Sequence, residues 1–302
     1  MTMWEAYIKG FKAYLQLERS MSENTVEAYL HDVAMLRDHV RDTYPGLAVE
    51  QVELEHLQSL LVTIHELELA AGTQARVLSG IKSFFRYLLL EEAIKKDPTQ
   101  LLDAPKLKRK LPHVLSLAEI DRLFAAIDHS KPEGQRNHAL LETMYSCGLR
   151  VSEVVNLCIS NLYLDVGFIK VIGKGNKERL VPIGDAAVKY IQLYKDYVRS
   201  HLPAIKKGSE DILFLNRRGS ALSRVMVFMI LKDLGQKIGL KQNIHPHTLR
   251  HSFATHLVEG GADLRAVQEM MGHKSITTTE IYTHLDRGYL RQTLEKYHPR
   301  FR

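Results

Sequence analysis

Cysteine is scarce in this sequence: Cys147 and Cys158 are the only two in 302 residues. So few cysteines exclude a disulfide framework and a cysteine-built zinc site. Both lie in apolar, helical-looking surroundings, so they are expected as reduced core thiols of a cytosolic protein. Long hydrophobic runs are missing too. No stretch approaches the roughly 18 apolar residues that a membrane-spanning helix needs. The first residues, MTMWEAYIKG, lack a secretory signal pattern. The expectation is a soluble, cytoplasmic chain with no membrane partner. Internal repeats and low-complexity tracts are absent, which excludes solenoids and extended disordered segments.

What is present is an ordinary globular composition, 45% hydrophobic and 25% charged. The length of 302 residues exceeds what one hydrophobic core usually supports, so two domains are expected. A net charge of +6 and a pI near 9.1 lean toward a polyanionic partner.

The first hundred residues read as helices. Trp4, Tyr7, Ile8, Phe11 and Leu15 form one amphipathic stripe. Ser22 is expected to cap a second helix carrying Val26, Tyr29, Leu30, Val33, Leu36 and Val40. A third is expected from about Glu53 to Ala70, and Thr73 is expected to cap a fourth with Val77, Leu78, Ile81, Phe84, Phe85 and Leu88 inward. The outer face of that fourth helix bears Arg76, Lys82, Ser83 and Arg86. Such a face is either solvated surface or a phosphate-contacting face. Asp97-Pro98 ends this part, and the stretch APKLKRKLPHVLS reads as a linker with four cations, Lys106, Lys108, Arg109 and Lys110. The expected boundaries are 1–103 for the first domain, 104–115 for the tether and 116–302 for the second domain.

In the second part, Ser116 and Glu119 are spaced as a helix capping box. Another helix runs from Gln135 to Cys147 and turns through Gly148 into Arg150 and Glu153. Gly167–Ile172 and Arg179–Ile183 flank a glycine-containing turn and signal a hairpin, to which Asp211–Leu215 could add a third strand. The turn GKGNKERL lacks the glycine frame and following helix of a phosphate loop.

The stretch from Ile244 to His284, IHPHTLRHSFATHLVEGGADLRAVQEMMGHKSITTTEIYTH, gathers the most chemistry. His247 and Arg250 share one face of a helix's first turn. A second helix ends at Gly272, placed as a C-terminal cap, with His273 at the bend. Tyr282 follows nine residues later. A phenol with a pKa near 10 is a poor nucleophile at neutral pH. Arginine and imidazole around it make sense if the target is a phosphodiester, whose developing oxyanion charge a guanidinium fork can hold. The plainer reading is a half-buried core tyrosine. The dense histidines His245, His247, His251 and His256 offer only His247 and His251 at i, i+4 and no H-E-x-x-H set, so neither metal nor any other cofactor is expected.

The order HxLRH, MGH and then Tyr resembles the carboxyl-terminal signature of the tyrosine recombinases, the phage integrase family. RNHALLETMYSCGLRVSEVVNL resembles that family's first arginine box, and SENTVEAY lies in a stretch similar to its amino-terminal core-binding domain. HPRFR near the end echoes the Xer subfamily, which resolves chromosome dimers; MMGH stands where LLGH is usual, a volume-conserving change.

The resemblance covers nearly the whole chain. It implies a mainly α fold with a small antiparallel β-sheet in two domains: an N-terminal helical bundle (a SAM-like core-binding domain) and a C-terminal α+β catalytic domain with an exchange helix at about 285–297. It implies Arg150, Lys174, His247, Arg250, His273 and Tyr282 as the catalytic set, with Glu153 a supporting carboxylate. Lys174 would protonate the leaving 5′-oxygen, with Lys177 the less favoured lysine. The second and fourth helices would face DNA, with Arg76, Lys82 and Arg86 and the tether's Lys106, Lys108, Arg109 and Lys110 as contacts. The implied partners are double-stranded DNA with an inverted-repeat, dif-like site, further protomers in a homo- or hetero-tetramer, and an FtsK-like DNA translocase. Three other readings share some of these residues: a mobile-element integrase, a type IB topoisomerase, and a DNA-binding accessory protein with an idle site.

Overall fold

The computed structural model describes residues 3–67, 69–103, 114–173, 175–272 and 287–301. The chain forms two compact units, Met1–Lys110 and Leu111–Arg302.

The first unit is all helical among the described residues: α1 (Met3–Ala13), α2 (Glu23–Thr43), α3 (Leu54–Glu66) and α4 (Ala71–Leu90). The apolar stripes meet in one core that includes Phe11, Leu15, Val33, Leu36, Leu57, Ile64, Phe84 and Leu88. Phe11 meets Phe84 edge to face at 5.3 Å. Two boundaries differ from the sequence reading. α3 stops at Glu66, and α4 starts at Ala71 with Thr73 already inside its first turn. The amides of Thr73 and Gln74 donate to the Ala70 carbonyl at 2.8 and 3.0 Å, so the backbone is helical before Thr73 could cap it. Ser22 does precede α2, but its hydroxyl pairs with that of Thr25 at 2.8 Å and not with a backbone amide.

The second unit holds α5 (Leu117–Ala125), α6 (Pro132–Ser146), α7 (Val151–Val155), β1 (Leu162–Tyr163), β2 (Phe168–Ile172), β3 (Glu178–Pro182), α8 (Asp185–Tyr197), α9 (Arg224–Lys237), α10 (Pro246–Glu259), α11 (Leu264–Met271) and α12 (Arg287–Tyr297). Ser116 accepts from the Glu119 amide while Glu119 accepts from the Ser116 amide at 2.8 Å, the reciprocal box that starts α5. The sheet is antiparallel in the order β1-β2-β3, with Ile169 opposite Val181 and Val171 opposite Arg179. Asp211–Leu215 adds no strand to it. That segment makes isolated bridges, Cys158 with Ile212 and Leu215 with Ala221, while Leu213, Phe214 and Leu215 are buried.

Cys147 lies in the core, where burial pushes its thiol up to about 12, and Cys158 is partly exposed. Both are free thiols. Among the described residues no helix is long and apolar enough to cross a membrane.

Candidate active site

Four elements of the second unit bring their ends to one carboxylate. α6 runs out at Ser146, and Gly148 turns the chain with φ +58. A side chain at Gly148 would press its Cβ to 2.4 Å from the Phe253 ring, so only glycine fits the turn. Arg150 then stands as the N-cap residue of α7, and Glu153, at the third helical position, accepts its backbone amide at 2.8 Å. The same carboxylate takes Arg150 Nη1 at 2.8 Å and both terminal nitrogens of Arg179 at 2.8 and 2.9 Å. Arg250, from the first turn of α10, reaches it at 3.8 Å.

One carboxylate among three guanidiniums leaves a surplus of positive charge. Burial alone would raise the Glu153 pKa, but Arg179 and then Arg150 hold it below the ordinary carboxylate value. Arg250 is buried and is pulled down to about 10, first by burial and then by the charge of Arg150, so it stays protonated at neutral pH. The exposures separate the three roles: side chains are 33% exposed for Arg150, 15% for Arg179 and 5% for Arg250. Arg150 is therefore the one that faces outward.

The remaining donors hold backbone. Arg250 Nη1 donates to Gly148 O at 2.6 Å and Nη2 to Met271 O. Arg150 Nη2 donates to Gly272 O at 3.0 Å, and Arg179 Nε to Met270 O at 3.0 Å. The last carbonyls of α11, which have no partner within their own helix, are thus satisfied by arginines of the site. Asp263 caps the start of α11 by accepting from the Ala266 amide at 3.1 Å, and Gly272 closes it in the left-handed region at φ 64.

Of the residues singled out in the sequence, the structure thus brings Arg150, Glu153 and Arg250 together. His247 is exposed in the first turn of α10. Lys174, His273 and Tyr282 lie outside the described residues, as do Lys106, Lys108, Arg109 and Lys110. The residues immediately before two of them line the cluster: a Cβ on Gly173 would stand 3.5 Å from Glu153 Oε1, and the Gly272 carbonyl is held by Arg150.

In the first unit Arg76 is engaged with Asp32, a fully buried carboxylate, at 2.6 Å, and also reaches Ala28 O. Lys82 Nζ donates to Leu102 O at 2.6 Å, and Arg86 is exposed. The expected exchange helix contains α12, which packs on its own unit with Leu290 and Leu294 buried. Behind it the tail is anchored. Arg300 forks onto the buried Glu142 at 2.8 and 3.2 Å and meets Asp121 at 2.7 Å, and Phe301 is buried, its carbonyl taking the Asp185 amide at 3.2 Å. Burial pushes the His298 imidazole down to about 3.

Two features escaped the sequence. Arg179 looks like any outward strand residue, and only its pairing opposite the buried Val171 puts it on the inner face. α9 exposes Val225, Met226, Phe228 and Met229, with exposed Arg217, Arg218 and Arg224 before and at its start. The signal was readable there: an apolar stripe that continues onto a second helix face beside a run of arginines. Among the described residues no group of three or more His, Cys, Asp or Glu could hold a metal ion.

Known proteins share this architecture. The phage integrase family model matches residues 113–288, and the model of the phage integrase N-terminal SAM-like domain matches residues 8–92. Tyrosine recombinase XerD of Staphylococcus aureus (strain N315) is 40% identical over 296 residues, covering 98% of this chain and 99% of that protein. XerD of Staphylococcus haemolyticus (strain JCSC1435) is 39% identical over 296 residues, with the same coverage of 98% and 99%. Among solved structures, the Tn1549 transposon integrase in complex with circular intermediate DNA has TM-score 0.73 at 21% identity, covering 95% of this chain and 98% of that one. XerH site-specific recombinase bound to difH substrate in a pre-cleavage complex has TM-score 0.71 at 22% identity, covering 90% of each chain. These two likenesses agree with the two-unit, mainly helical fold with its small sheet. From the family models and the near full-length identity, the chain belongs to the phage integrase family and is a tyrosine recombinase, a site-specific enzyme that breaks and rejoins DNA.

Proposed function

We propose that this recombinase resolves DNA dimers in the Xer manner, with Tyr282 as nucleophile. The observation that carries the reading is the convergence of Arg150 and Arg250 on Glu153. Arg150 and Arg250 spend Nη1 and Nη2 on Glu153 and nearby carbonyls, and a guanidinium carries five N–H donors in all, more than these bonds use, which suits a grip on non-bridging oxygens. Tyr282 attacks the scissile phosphate and forms a 3′-phosphotyrosyl link with a free 5′-hydroxyl. Arg150 and Arg250, aided by His273, hold the charge that grows on the phosphate. His247 helps take the phenol proton, and Lys174 protonates the leaving 5′-oxygen. The ester bond is conserved in the covalent link, so the partner strand's 5′-hydroxyl can religate it through a Holliday junction.

The assembly is a homo- or hetero-tetramer on an inverted-repeat, dif-like duplex, in the cytoplasm at the nucleoid, with an FtsK-like translocase as activator. α12 is the exchange helix: the apolar face that Leu290 and Leu294 bury in cis is the one it would offer a neighbouring protomer, a head-to-tail contact that closes a ring. The first domain, residues 1–103, and the tether, 104–115, meet the phosphates through Arg86, Lys82 and the tether's Lys106, Lys108, Arg109 and Lys110. Arg76 contributes by fixing α4 against α2 through Asp32. On the second domain, 116–302, the α9 face fits a major groove: its arginines suit phosphates, and Val225, Phe228 and Met229 suit thymine methyl groups.

The test is recombination between two copies of an inverted-repeat site on one plasmid, with the protein alone and with a sister recombinase. Resolution into two circles supports the reading. Relaxation of a plasmid without any site favours a topoisomerase, and recombination confined to the ends of a mobile element favours an integrase of that element.

A further inference from the structure

We propose that Arg179 is a positioning residue that keeps the Glu153 charge off the phosphate-gripping arginines and fixes the bases of the elements around them. The inference rests on the reading of Arg150 and Arg250 as that gripping pair. Arg179 uses a nitrogen toward each of its neighbours: Nη1 and Nη2 fork onto Glu153 at 2.8 and 2.9 Å, and Nε donates to Met270 O at 3.0 Å. With its fork turned inward and its side chain only 15% exposed, it is badly placed to grip substrate itself.

Its contacts fall at the base of three elements. Glu153 orients Arg150 through the backbone amide and Nη1. Gly173, the residue before Lys174, has room for a Cβ only 3.6 Å from Arg179 Nη1. Gly272, the residue before His273, would put a Cβ 3.2 Å from the guanidinium carbon. Arg179, itself a residue of β3, therefore stands beside the hairpin base, bonds the carboxylate that aims Arg150 and holds the end of α11 through Met270 O.

The charge argument points the same way. Glu153 lies 2.8 Å from Arg150 and 3.8 Å from Arg250. Without Arg179 its negative charge would be neutralised by those two alone, drawing their forks inward and weakening the field at the phosphate. With Arg179 in a planar, two-point pair the carboxylate is already satisfied. A lysine at this place would keep the charge and lose the fork, so the Arg179→Lys protein separates geometry from net charge.

The experiment measures single-turnover cleavage of a nicked suicide duplex by wild type, Arg179→Ala, Arg179→Lys and Arg150→Ala. Each is run on the ordinary phosphodiester and on a duplex with a methylphosphonate at the scissile position. The methylphosphonate lacks the non-bridging negative charge, so it relieves the need for a gripping guanidinium. DNA affinity and melting temperature are measured alongside. On the phosphodiester, Arg179→Lys should cleave roughly 10- to 100-fold more slowly than wild type, as for other residues that orient a reacting group, with DNA affinity unchanged within about 2-fold. On the methylphosphonate that deficit should shrink to within about 3-fold of wild type, as should that of Arg150→Ala. If Arg179→Ala does not fold, the lysine variant carries the test.

An Arg179→Lys deficit of equal size on both substrates, while that of Arg150→Ala shrinks, would overturn the proposal and leave a structural role for Arg179. Full activity of Arg179→Lys on the phosphodiester would overturn it too. If the Arg150→Ala deficit fails to shrink, the reading of Arg150 itself falls and takes this inference with it.

Discussion

Arg150 donates from Nη2 to the carbonyl of Gly272 at 3.0 Å, joining the N-cap of α7 to the residue that ends α11. The most outward-facing arginine of the cluster thus holds the chain at the position next to His273. Gly272 has φ 64, and its missing Cβ leaves space that Arg179 occupies at 3.2 Å. Gly272→Ala therefore suffers twice, from the left-handed backbone and from the crowded guanidinium. The expected loss is roughly 1–3 kcal/mol of stability, read as a lower midpoint in urea, with slower cleavage of a suicide duplex. An unchanged midpoint would show that the α11 end is not fixed as described.

Lys174 is tested through the leaving group. Lys174→Ala should be slow on a normal duplex, because the departing 5′-alkoxide then lacks a proton donor. A 5′-bridging thiolate leaves without protonation, so that substrate should restore most of the rate. No rescue would mean that Lys174 is not the acid.

The tail predicts a pH dependence of stability. The His298 imidazole has its folded-state pKa pushed down to about 3 by burial, against an ordinary 6.5. Above pH 6.5 it is neutral in both states, and its contribution to stability is fully present. As pH falls from 6.5 toward 3, the unfolded chain takes up a proton that the folded chain refuses, and stability drops. Urea unfolding of wild type and His298→Leu across this window should show a shallower acid loss for the variant. Parallel curves would contradict the buried, neutral assignment.

How much of this was legible beforehand follows the kind of signal each residue carried. The end of α11 at Gly272 was readable because capping chemistry is local, whereas the Asp263 cap at its start is seen only in the structure. The resemblance singled out Arg150, Glu153 and Arg250, yet the hold of the two arginines on the Met271 and Gly272 carbonyls at the end of α11 was not legible, since it joins residues far apart in the chain. Arg179 was missed because strand register, and not residue type, turns it inward. The expected strand at Asp211–Leu215 reflects real burial of Leu213 to Leu215, in a segment that makes only isolated bridges.

The α9 face predicts a base preference. Val225 and Met229 are 70% and 51% exposed, far more apolar surface than a solvated helix usually offers at its start. If this face reads thymine methyl groups, replacing thymine by deoxyuridine at some positions of each half-site should weaken binding by roughly 10-fold or less per position. Val225→Ala with Met229→Ala should erase that difference. Titrations at fixed salt make the comparison, because phosphate contacts vary steeply with ionic strength. Equal affinity for thymine and deoxyuridine sites would assign the face to another partner.

The most direct measurement is capture of the covalent intermediate. A duplex nicked near the scissile phosphate is incubated with the protein, the adduct is digested, and the modified peptide is sequenced by mass spectrometry. The account predicts a DNA 3′-phosphate on Tyr282, and no adduct from Tyr282→Phe although that variant still binds the site. An adduct on Tyr289 or any other residue, or one that persists in Tyr282→Phe, would contradict it.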